Sequence, residues 1–541
     1  MYISITLGSL AILIMGFAFS LPVLSIFIKR KIVFDIYFIF VTSLSLVMNA
    51  QILYQVMNTQ EYLLYPFGGW PPPLGIVYVA DYFSAVLATM ISFVVLTIAL
   101  YTLWYAKHLE GYIWLYTLIL TLEAGLIGAV YSGDIFNLYV MLEVTAISSY
   151  GLVAFYTFRR KPLASAARYS ILGIMFLTFY FLAVIIIYSS LGTLNIGDLA
   201  FKLRPHIMHS QNYTVIEMYS GSVPKISKEH TLFLSTALLI SIWVFTFISA
   251  LFPNHFWLPD AHTEAPTPAS AVLSGLVVKI GVYTSVRFLY TIFGIDAMFV
   301  HVRELLLNLL MVLGIISALF ASVMMALQDD CKRMLAYSTI VNIGFIYMGI
   351  SMNSVMGLAS AIYHLINHAI GKALIFISVG LLVRASRTRN LYGMAGIGRQ
   401  YPLVTFIIIM SSLHLIGLPP FGGFFSKLLL YQSFIEKGAI IPALTVVIAS
   451  AIVAYGYFKL IEAIWHMLPT SVTIGKRPTP IFAGVSMIIM TTFILMLGFF
   501  APVIIDTVNA IANEIINGYI NYIDAVSKIA TLLTPETINP P

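Results

Sequence analysis

Three titratable side chains, His364, His368 and Lys372, recur at intervals of four within one apolar run. On an α-helix that spacing lines them up along one face with only slight drift. A row of groups that can each hold or release a proton suits proton relay. Histidines that merely pack or hydrogen-bond are a second reading, and a metal-binding His pair is a third. The metal reading lacks the additional carboxylate or Cys that accompanies such a pair in metalloprotease helices, so no metal is expected. Lys279 and Lys427 also sit deep inside apolar runs. So does Glu143, in Tyr139-Val-Met-Leu-Glu143-Val-Thr-Ala, with no basic residue within a helical turn to neutralise it. Glu123 occupies a similar depth in the preceding run, whereas Asp134 stands where a run begins and reads as a helix N-cap.

These residues need elements to hold them, and composition says what those elements are. The chain has 541 residues, 60% hydrophobic and 9% charged, far from the roughly half-apolar, quarter-charged soluble norm. So few charges cannot coat a core that apolar, so the bilayer is the solvent. A nucleic-acid partner is excluded despite a net charge of +6. Apolar runs of spanning length fall near 4–28, 33–57, 78–105, 111–131, 134–157, 164–191, 231–256, 269–293, 303–327, 333–353, 355–383, 402–433, 438–466 and 479–506, which predicts an all-α polytopic membrane protein of fourteen helices. The first run is followed, not preceded, by Lys29-Arg30-Lys31, the wrong charge order for a cleaved signal peptide, and is expected to remain as the first helix.

Lys and Arg concentrate in cytoplasmic connectors. With the N-terminus outside, the inner connectors hold fifteen of them and the outer segments seven. Both termini are therefore expected outside, in a multi-pass protein of the cell membrane. Six cations remain within or at the ends of spans. A charge at bilayer depth costs at least roughly 2.5–3.5 kcal/mol on insertion scales, so it normally faces the bundle interior and marks an ion path. Arg168, Arg287 and Lys459 lie near span ends and are expected to snorkel to the interface. Lys279, Lys372 and Lys427 are deeper.

The single Cys331, in the polar stretch Gln328-Asp329-Asp330-Cys331-Lys332-Arg333, excludes disulfide frameworks, iron–sulfur clusters and thiolate zinc sites. It reads as a small loop residue, and no cofactor is expected in this chain. There is no phosphate loop and no nucleophile elbow, and Gly393-Met-Ala-Gly396-Ile-Gly398 follows a helix rather than a strand. Asn212-Tyr213-Thr214 matches a glycosylation acceptor of a kind frequent by chance. The tail from about 507 spaces Asp506, Glu514 and Asp524 among apolar residues and reads as an amphipathic segment lying on the membrane or on a partner.

Proline interrupts two apolar stretches five spans apart: Pro253-Asn-His255-Phe-Trp257-Leu-Pro259-Asp260-Ala-His262 and Gly417-Leu-Pro419-Pro420-Phe-Gly422-Gly423. Broken helices at matching places in two halves point to an inverted-repeat transporter, because freed backbone groups are tolerated only beside a polar cavity. A simple proline kink is the plainer reading of each.

Across roughly residues 65–435 the chain resembles the antiporter-like subunits shared by respiratory complex I, Mrp-type Na⁺/H⁺ antiporters, energy-converting membrane hydrogenases and related sulfur reductases. The resemblance runs through Gly69-Trp70-Pro71-Pro72-Pro73-Leu74-Gly75-Ile76-Val77, Gly133-Asp134-Ile135-Phe136-Asn137-Leu138-Tyr139-Val140, Phe256-Trp257-Leu258-Pro259-Asp260-Ala261-His262 and Gly417-Leu418-Pro419-Pro420-Phe421-Gly422-Gly423-Phe424-Phe425-Ser426-Lys427. The first and third of these look most like the D-type subunit of Mrp antiporters and its hydrogenase-type relatives. The resemblance implies two inverted five-helix repeats, helices four to eight and nine to thirteen, with helices seven and twelve interrupted. The corresponding division is an N-terminal unit 1–110, a first repeat 111–293 with an outer loop 197–230, a second repeat 294–466, and helix fourteen with its tail at 467–541. Carried over by motif, the ion-translocating residues are Glu143, Lys279, His364, His368, Lys372 and Lys427, with Glu123 and His255 as accessory candidates. The implied partners are other membrane subunits of a hetero-oligomeric complex, and the implied cargo is H⁺, Na⁺ or both.

One position departs from the pattern. The family places a lysine nine residues before the Trp of broken helix seven, as partner of the glutamate, and here Ile248 stands there. An isoleucine cannot titrate, so Glu143 is left to be neutral or to borrow a more distant cation, with His255 as one substitute. In the implied mechanism ions enter a half-channel, pass Lys279 and the histidine–lysine face, and leave near Lys427. A lysine held from water beside like charge can release its proton as nearby charge changes. Energy would come from a partner's redox reaction or from an opposing ion gradient. The competing expectation is a scaffold subunit of the same kind of complex that carries no ion.

Overall fold

The computed structural model describes residues 2–204, 228–465 and 477–533. Most of the predicted outer loop 197–230, with Asn212-Tyr213-Thr214, lies outside the described residues. The helices are α1 (Ile5–Phe27), α2 (Lys31–Thr59), α3 (Tyr82–Tyr105), α4 (Tyr112–Tyr131), α5 (Ile135–Val153), α6 (Arg160–Leu191), the short α7 (Ile196–Lys202), α8 (Lys228–Ile248), α9 (Trp257–Glu264), α10 (Thr267–Ile292), α11 (Val300–Leu327), α12 (Cys331–Ser351), α13 (Val355–Ser386), α14 (Pro402–Ile416), α15 (Gly422–Glu436), α16 (Ile440–Trp465), α17 (Ile481–Phe499), α18 (Ala501–Asn517) and α19 (Tyr519–Leu533). Because lipid cannot satisfy backbone N–H groups, helix starts need local acceptors. Ser4, Asp81, Asp134, Asn195, Asp330 and Ser354 each supply one from the N-cap side chain. Asp134 is thus the cap its position suggests.

Thirteen helices among the described residues are long and apolar enough to cross a bilayer. The predicted span 402–433 divides into α14 and α15, each of 15 residues. At 1.5 Å per residue each reaches only about 22 Å, short of the roughly 30 Å core, so the two cross it only together. The predicted span 231–256 stops earlier, at Ile248, and a turn with Ala250 at φ 55° leads into α9. Both interruptions expected from proline are therefore present. α10 and α12 are buried throughout their most apolar stretch and α13 nearly so, whereas α1, α2 and α6 leave most of theirs outward. Any polar site on the three inner helices is sheltered from lipid.

The expected all-α membrane architecture is present, and four details are corrected. Beside the helices, Tyr2–Ile3, Leu63–Pro66 and Val77–Ala80 form a small sheet, the first pair parallel and the second antiparallel. The run predicted from 78 therefore begins as a strand, and the helix waits for its cap at Asp81. Cys331 is no loop residue but the buried first residue of α12. Lys202, Arg204 and Lys332, counted as loop cations, are buried. Lys202 donates to the Leu191 carbonyl at 2.9 Å, and Arg204 to Ala200, Thr291 and Ile292 carbonyls at 2.7–3.2 Å. Basic side chains suit the carbonyl ends of helices, which carry partial negative charge.

The tail is the fourth correction. It forms a hairpin of α18 and α19 whose apolar side, including Val508, Ile511, Ile523 and Val526, is buried against this chain rather than turned to lipid or a partner. α18 packs on α13 and the end of α10, and α19 on α7 and the sheet. Glu514 of α18 meets the Tyr62 hydroxyl, and its carboxyl is pushed up to about 7, first by burial and then by the negative Asp81 nearby. Its folded value lies above the ordinary 4.5, so its contribution is fully present below about 4.5 and is lost as pH rises through about 7. Glu514→Gln is expected to raise the melting temperature by roughly a few degrees in alkaline buffer and to leave it unchanged in acid. Thermal unfolding at the two pH values checks this; equal shifts at both would sink it.

Candidate functional site

Lys279 sits in α10 between two widened π-helical stretches, Leu273–Val277 and Arg287–Ile292. Such turns re-aim backbone groups and recur at functional sites. The Lys279 amine folds back and donates to the Ser274 carbonyl. From there a chain of polar contacts crosses to α13. Ser274 Oγ and Thr339 Oγ1 are 2.7 Å apart, Thr339 donates to the Leu335 carbonyl at 3.1 Å, and Lys372 Nζ donates to the same carbonyl at 2.9 Å and to Tyr457 OH at 3.3 Å.

The α13 face continues the row. His368 is 1% exposed and His364 3%, and their rings lie nearly parallel with centroids 6.2 Å apart. His364 Nδ1 is 3.0 Å from Ser426 Oγ and its Nε2 3.0 Å from Asn342 Oδ1. Neither ring nitrogen of His368 has a hydrogen-bond partner among the described residues. Ser426 adjoins Lys427, whose amine donates to the Leu415 and Ile416 carbonyls at 3.1 and 2.8 Å and to Ser450 Oγ at 3.1 Å. Leu415 and Ile416 end α14, so Lys427 of α15 satisfies the carbonyls that the helix break leaves open. Gly423 lets the two half-helices meet, since a side chain there would strike the His414 carbonyl.

Lys279, Lys372 and Lys427 are all buried, and none pairs with a carboxylate among the described residues. The geometry therefore brings five of the six expected translocation residues into one row through the centre. Two further histidines join it, one inside the broken-helix motif 253–262 and one at the end of α14. His262 of α9 is wholly buried opposite Lys332, Lys372 and Lys279, and His414 of α14 holds the Asn367 carbonyl at 3.0 Å. Their signal was a histidine inside or beside a broken apolar run.

The other candidates stand apart. Glu143 is half-buried and shares its face of α5 with the exposed Phe136, Val140 and Ile147, so it looks outward from the chain. Ile248 lines a cavity of about 20 Å³ with Leu142, Thr145, Tyr150 and Tyr169, and Glu143 is not in that lining. One residue on from Ile248, Ser249 Oγ, Tyr347 OH and Ser285 Oγ form a neutral bridge at 2.8 and 2.9 Å. His255 stacks on Phe252 at 5.4 Å and against Phe320 at 5.3 Å, away from the row, with no carboxylate bound among the described residues. Glu123 is buried among α2 and α3, with only Ser45 among the described residues hydrogen-bonded to it.

Arg287 overturns its snorkelling expectation. Its Nη1 and Nη2 each approach an oxygen of Asp81 at 2.6 Å, with both side chains about 5% exposed. This bidentate geometry is the strong form of a carboxylate–guanidinium pair. By contrast Arg168 is mostly exposed, 3.5 Å from Asp260, as snorkelling requires.

Comparison with known proteins agrees with this architecture. The model of the family described as NADH:quinone oxidoreductase/Mrp antiporter, TM matches residues 132–453. The chain is 33% identical over 425 residues to the N subunit of the NADH-quinone oxidoreductase of Desulforudis audaxviator, covering 77% of this chain and 78% of the relative. It is 31% identical over 472 residues to the D-type component of the Na(+)/H(+) antiporter of Alkalihalophilus pseudofirmus, covering 85% and 87%. Among solved structures, a chain of the membrane-bound sulfane sulfur reductase, an archaeal respiratory membrane complex, superposes with a TM-score of 0.85 at 27% identity, covering 97% of this chain and all of that one. A chain of the Mrp complex from Dietzia sp. DQ12-45-1b gives 0.83 at 21% identity with the same coverage. Sequence and fold together make this chain a member of the NADH:quinone oxidoreductase/Mrp antiporter transmembrane family.

Proposed function

We propose that this chain is an ion-translocating, antiporter-like subunit of a multi-subunit membrane complex, moving H⁺ or Na⁺ along the row Lys279, Lys372, His368, His364, Lys427. The observation that carries the reading is three buried amines, bonded to carbonyls and hydroxyls only, between two broken helices. Each costs the fold several kcal/mol in a bilayer unless it is used or compensated. A scaffold subunit would keep that cost without the use. Proton or Na⁺ flux by the assembly reconstituted in vesicles tests the reading, and an intact assembly that leaves both gradients unmoved overturns it.

The chain's place in such an assembly follows from its surface. Glu143 faces outward at span depth, where lipid is a poor neighbour for a carboxyl, so the α5 face is the side turned to another membrane subunit. Both termini lie outside, in the cell membrane. The chain is divided into the unit 1–110, inverted repeats 111–293 and 294–466, and the end 467–541. Because Glu143 points away from the cavity beside Ile248, Ile248→Lys is expected to leave flux as it is in the unaltered assembly. A clear gain in the flux assay on adding the lysine would instead mean that the carboxyl swings inward.

A further inference from the structure

The N-terminal helices carry a second polar cluster that the central row does not use. Glu123 of α4 is fully buried; Ser45 of α2 donates to its Oε1 at 2.6 Å, and its Oε2 has no partner among the described residues. Ser45 and Ser92 of α3 are 3.1 Å apart, and Asn49 donates to Ser92 Oγ at 2.7 Å while its own carbonyl accepts from Tyr131 OH at 2.8 Å. Among the described residues, no Lys, Arg or His forms an ion pair or hydrogen bond with Glu123. A carboxylate left bare in a low dielectric is prohibitively costly, so it must hold a compensating cation or a proton. Two serine hydroxyls and a carboxyl provide hard oxygen donors of the kind that bind either H⁺ or Na⁺, while Asn49 turns its amide nitrogen to Ser92 and its side-chain oxygen to Tyr131 and so holds the serine in place.

The helix that carries Ser45 and Asn49 also reaches a cavity. Beneath the C-terminal hairpin lies a cavity of about 700 Å³ lined by Val56, Gln60, Glu61, Tyr62, Glu514 and Asp524, among others. Its wall reaches the Asp81–Arg287 pair through one more ring: wall residue Tyr62 lies 5.9 Å from Tyr522, and Arg287 lies 5.8 Å from the Tyr522 ring. Inward from the pair, Arg287 Nε donates to Tyr283 OH at 2.9 Å, and Tyr283 OH to the Val130 carbonyl at 2.5 Å. The next residue is Tyr131, bonded to Asn49. Along α2, one buried face runs from Ser45 through Asn49 and Ile52 to Val56 at the cavity, eleven residues or about 16 Å.

We propose that Glu123 is a second monovalent-cation site, holding H⁺ or Na⁺ beside the Ser45 and Ser92 hydroxyls, and that it exchanges through the cavity under the hairpin rather than through the lysine–histidine row. The site does not depend on whether that row conducts. The groups facing its route are Asp81, Arg287, Tyr62, Tyr283, Tyr131, Glu514, Glu61, Asp524 and Lys528; none but Tyr131 belongs to the cluster itself.

Infrared difference spectra of the purified full-length protein in lipid, taken across pH steps, report a proton on the carboxyl; radioactive sodium binding to the same preparation reports Na⁺. Loss in Glu123→Gln of a protonated-carboxyl band, or of one bound sodium per chain, supports the site and tells the two cations apart. Lys427→Arg is expected to leave both signals intact, which separates this site from the central row. Ala510→Trp, at the cavity mouth and far from the cluster, keeps Glu123 in place and is expected to slow its exchange. Spectra and sodium binding identical in Glu123→Gln and unaltered protein overturn the site. Unchanged exchange in Ala510→Trp overturns the route.

Discussion

Lys427→Arg should stop ion transport by the reconstituted assembly while leaving the protein folded. The reason lies in the two tasks of this side chain. Its amine satisfies the Leu415 and Ile416 carbonyls where α14 breaks, and it neighbours the Ser426–His364 pair that leads to the histidine row. A guanidinium has donors enough for the first task, but it cannot be deprotonated in a protein and so cannot hand a proton on. Loss of one proton-transferring side chain is worth on the order of 10²-fold or more in rate. Lys427→Ala confounds the two tasks, because it also leaves buried carbonyls unsatisfied at roughly 1–3 kcal/mol each. Flux assays and thermal melts on the two variants together separate them. Full transport by the arginine variant would mean that the amine does not titrate, which favours a scaffold.

Breaking the Asp81–Arg287 pair from one side should be the most destabilising polar change in the chain. Burial alone would raise the Asp81 carboxyl, but Arg287 and the Ser84 hydrogen bonds outweigh it and hold the carboxyl below its ordinary range. Removing either partner strands the other charge, at roughly 3–5 kcal/mol. Asp81→Ala and Arg287→Met are each expected to lower the melting temperature sharply. The double variant should be less damaged than the sum of the two, since no bare charge remains. Melts of all four proteins in the same lipid check this, and strict additivity would show that the pair is not coupled.

The axis was legible in the sequence because each deep lysine or histidine interrupts a long apolar run, and such an interruption is expensive in lipid. The spacing of four on α13 was enough to predict one face, and the structure keeps His364, His368 and Lys372 on it. The two proline breaks were legible for the same reason. Asp81 and Arg287 were not, because Asp81 falls inside the apolar run predicted from 78 and an arginine near a span end has snorkelling as its ordinary reading. Their pairing joins positions that no local periodicity connects. Lys202, Arg204 and Lys332 were misread because a connector in sequence need not be wet in space; they bury themselves on helix ends. The hairpin was legible as amphipathic but not as self-docking, since a moment of hydrophobicity does not say what it faces. Glu143 was found by its cost, yet which way it faces depended on the packing of α5 against α4 and α6.

The Asp81–Arg287 pair also has a temporal side. Its partners are 206 residues apart in the chain. At a synthesis rate of roughly 5–20 residues per second, Asp81 leaves the ribosome about ten to forty seconds before Arg287 exists. During that interval the acid has no guanidinium to pair with. The hairpin that covers the pair is made later still. The end of the molecule formed by the first strand, α18 and α19 is thus sealed only after the chain has passed Arg287 by more than two hundred residues.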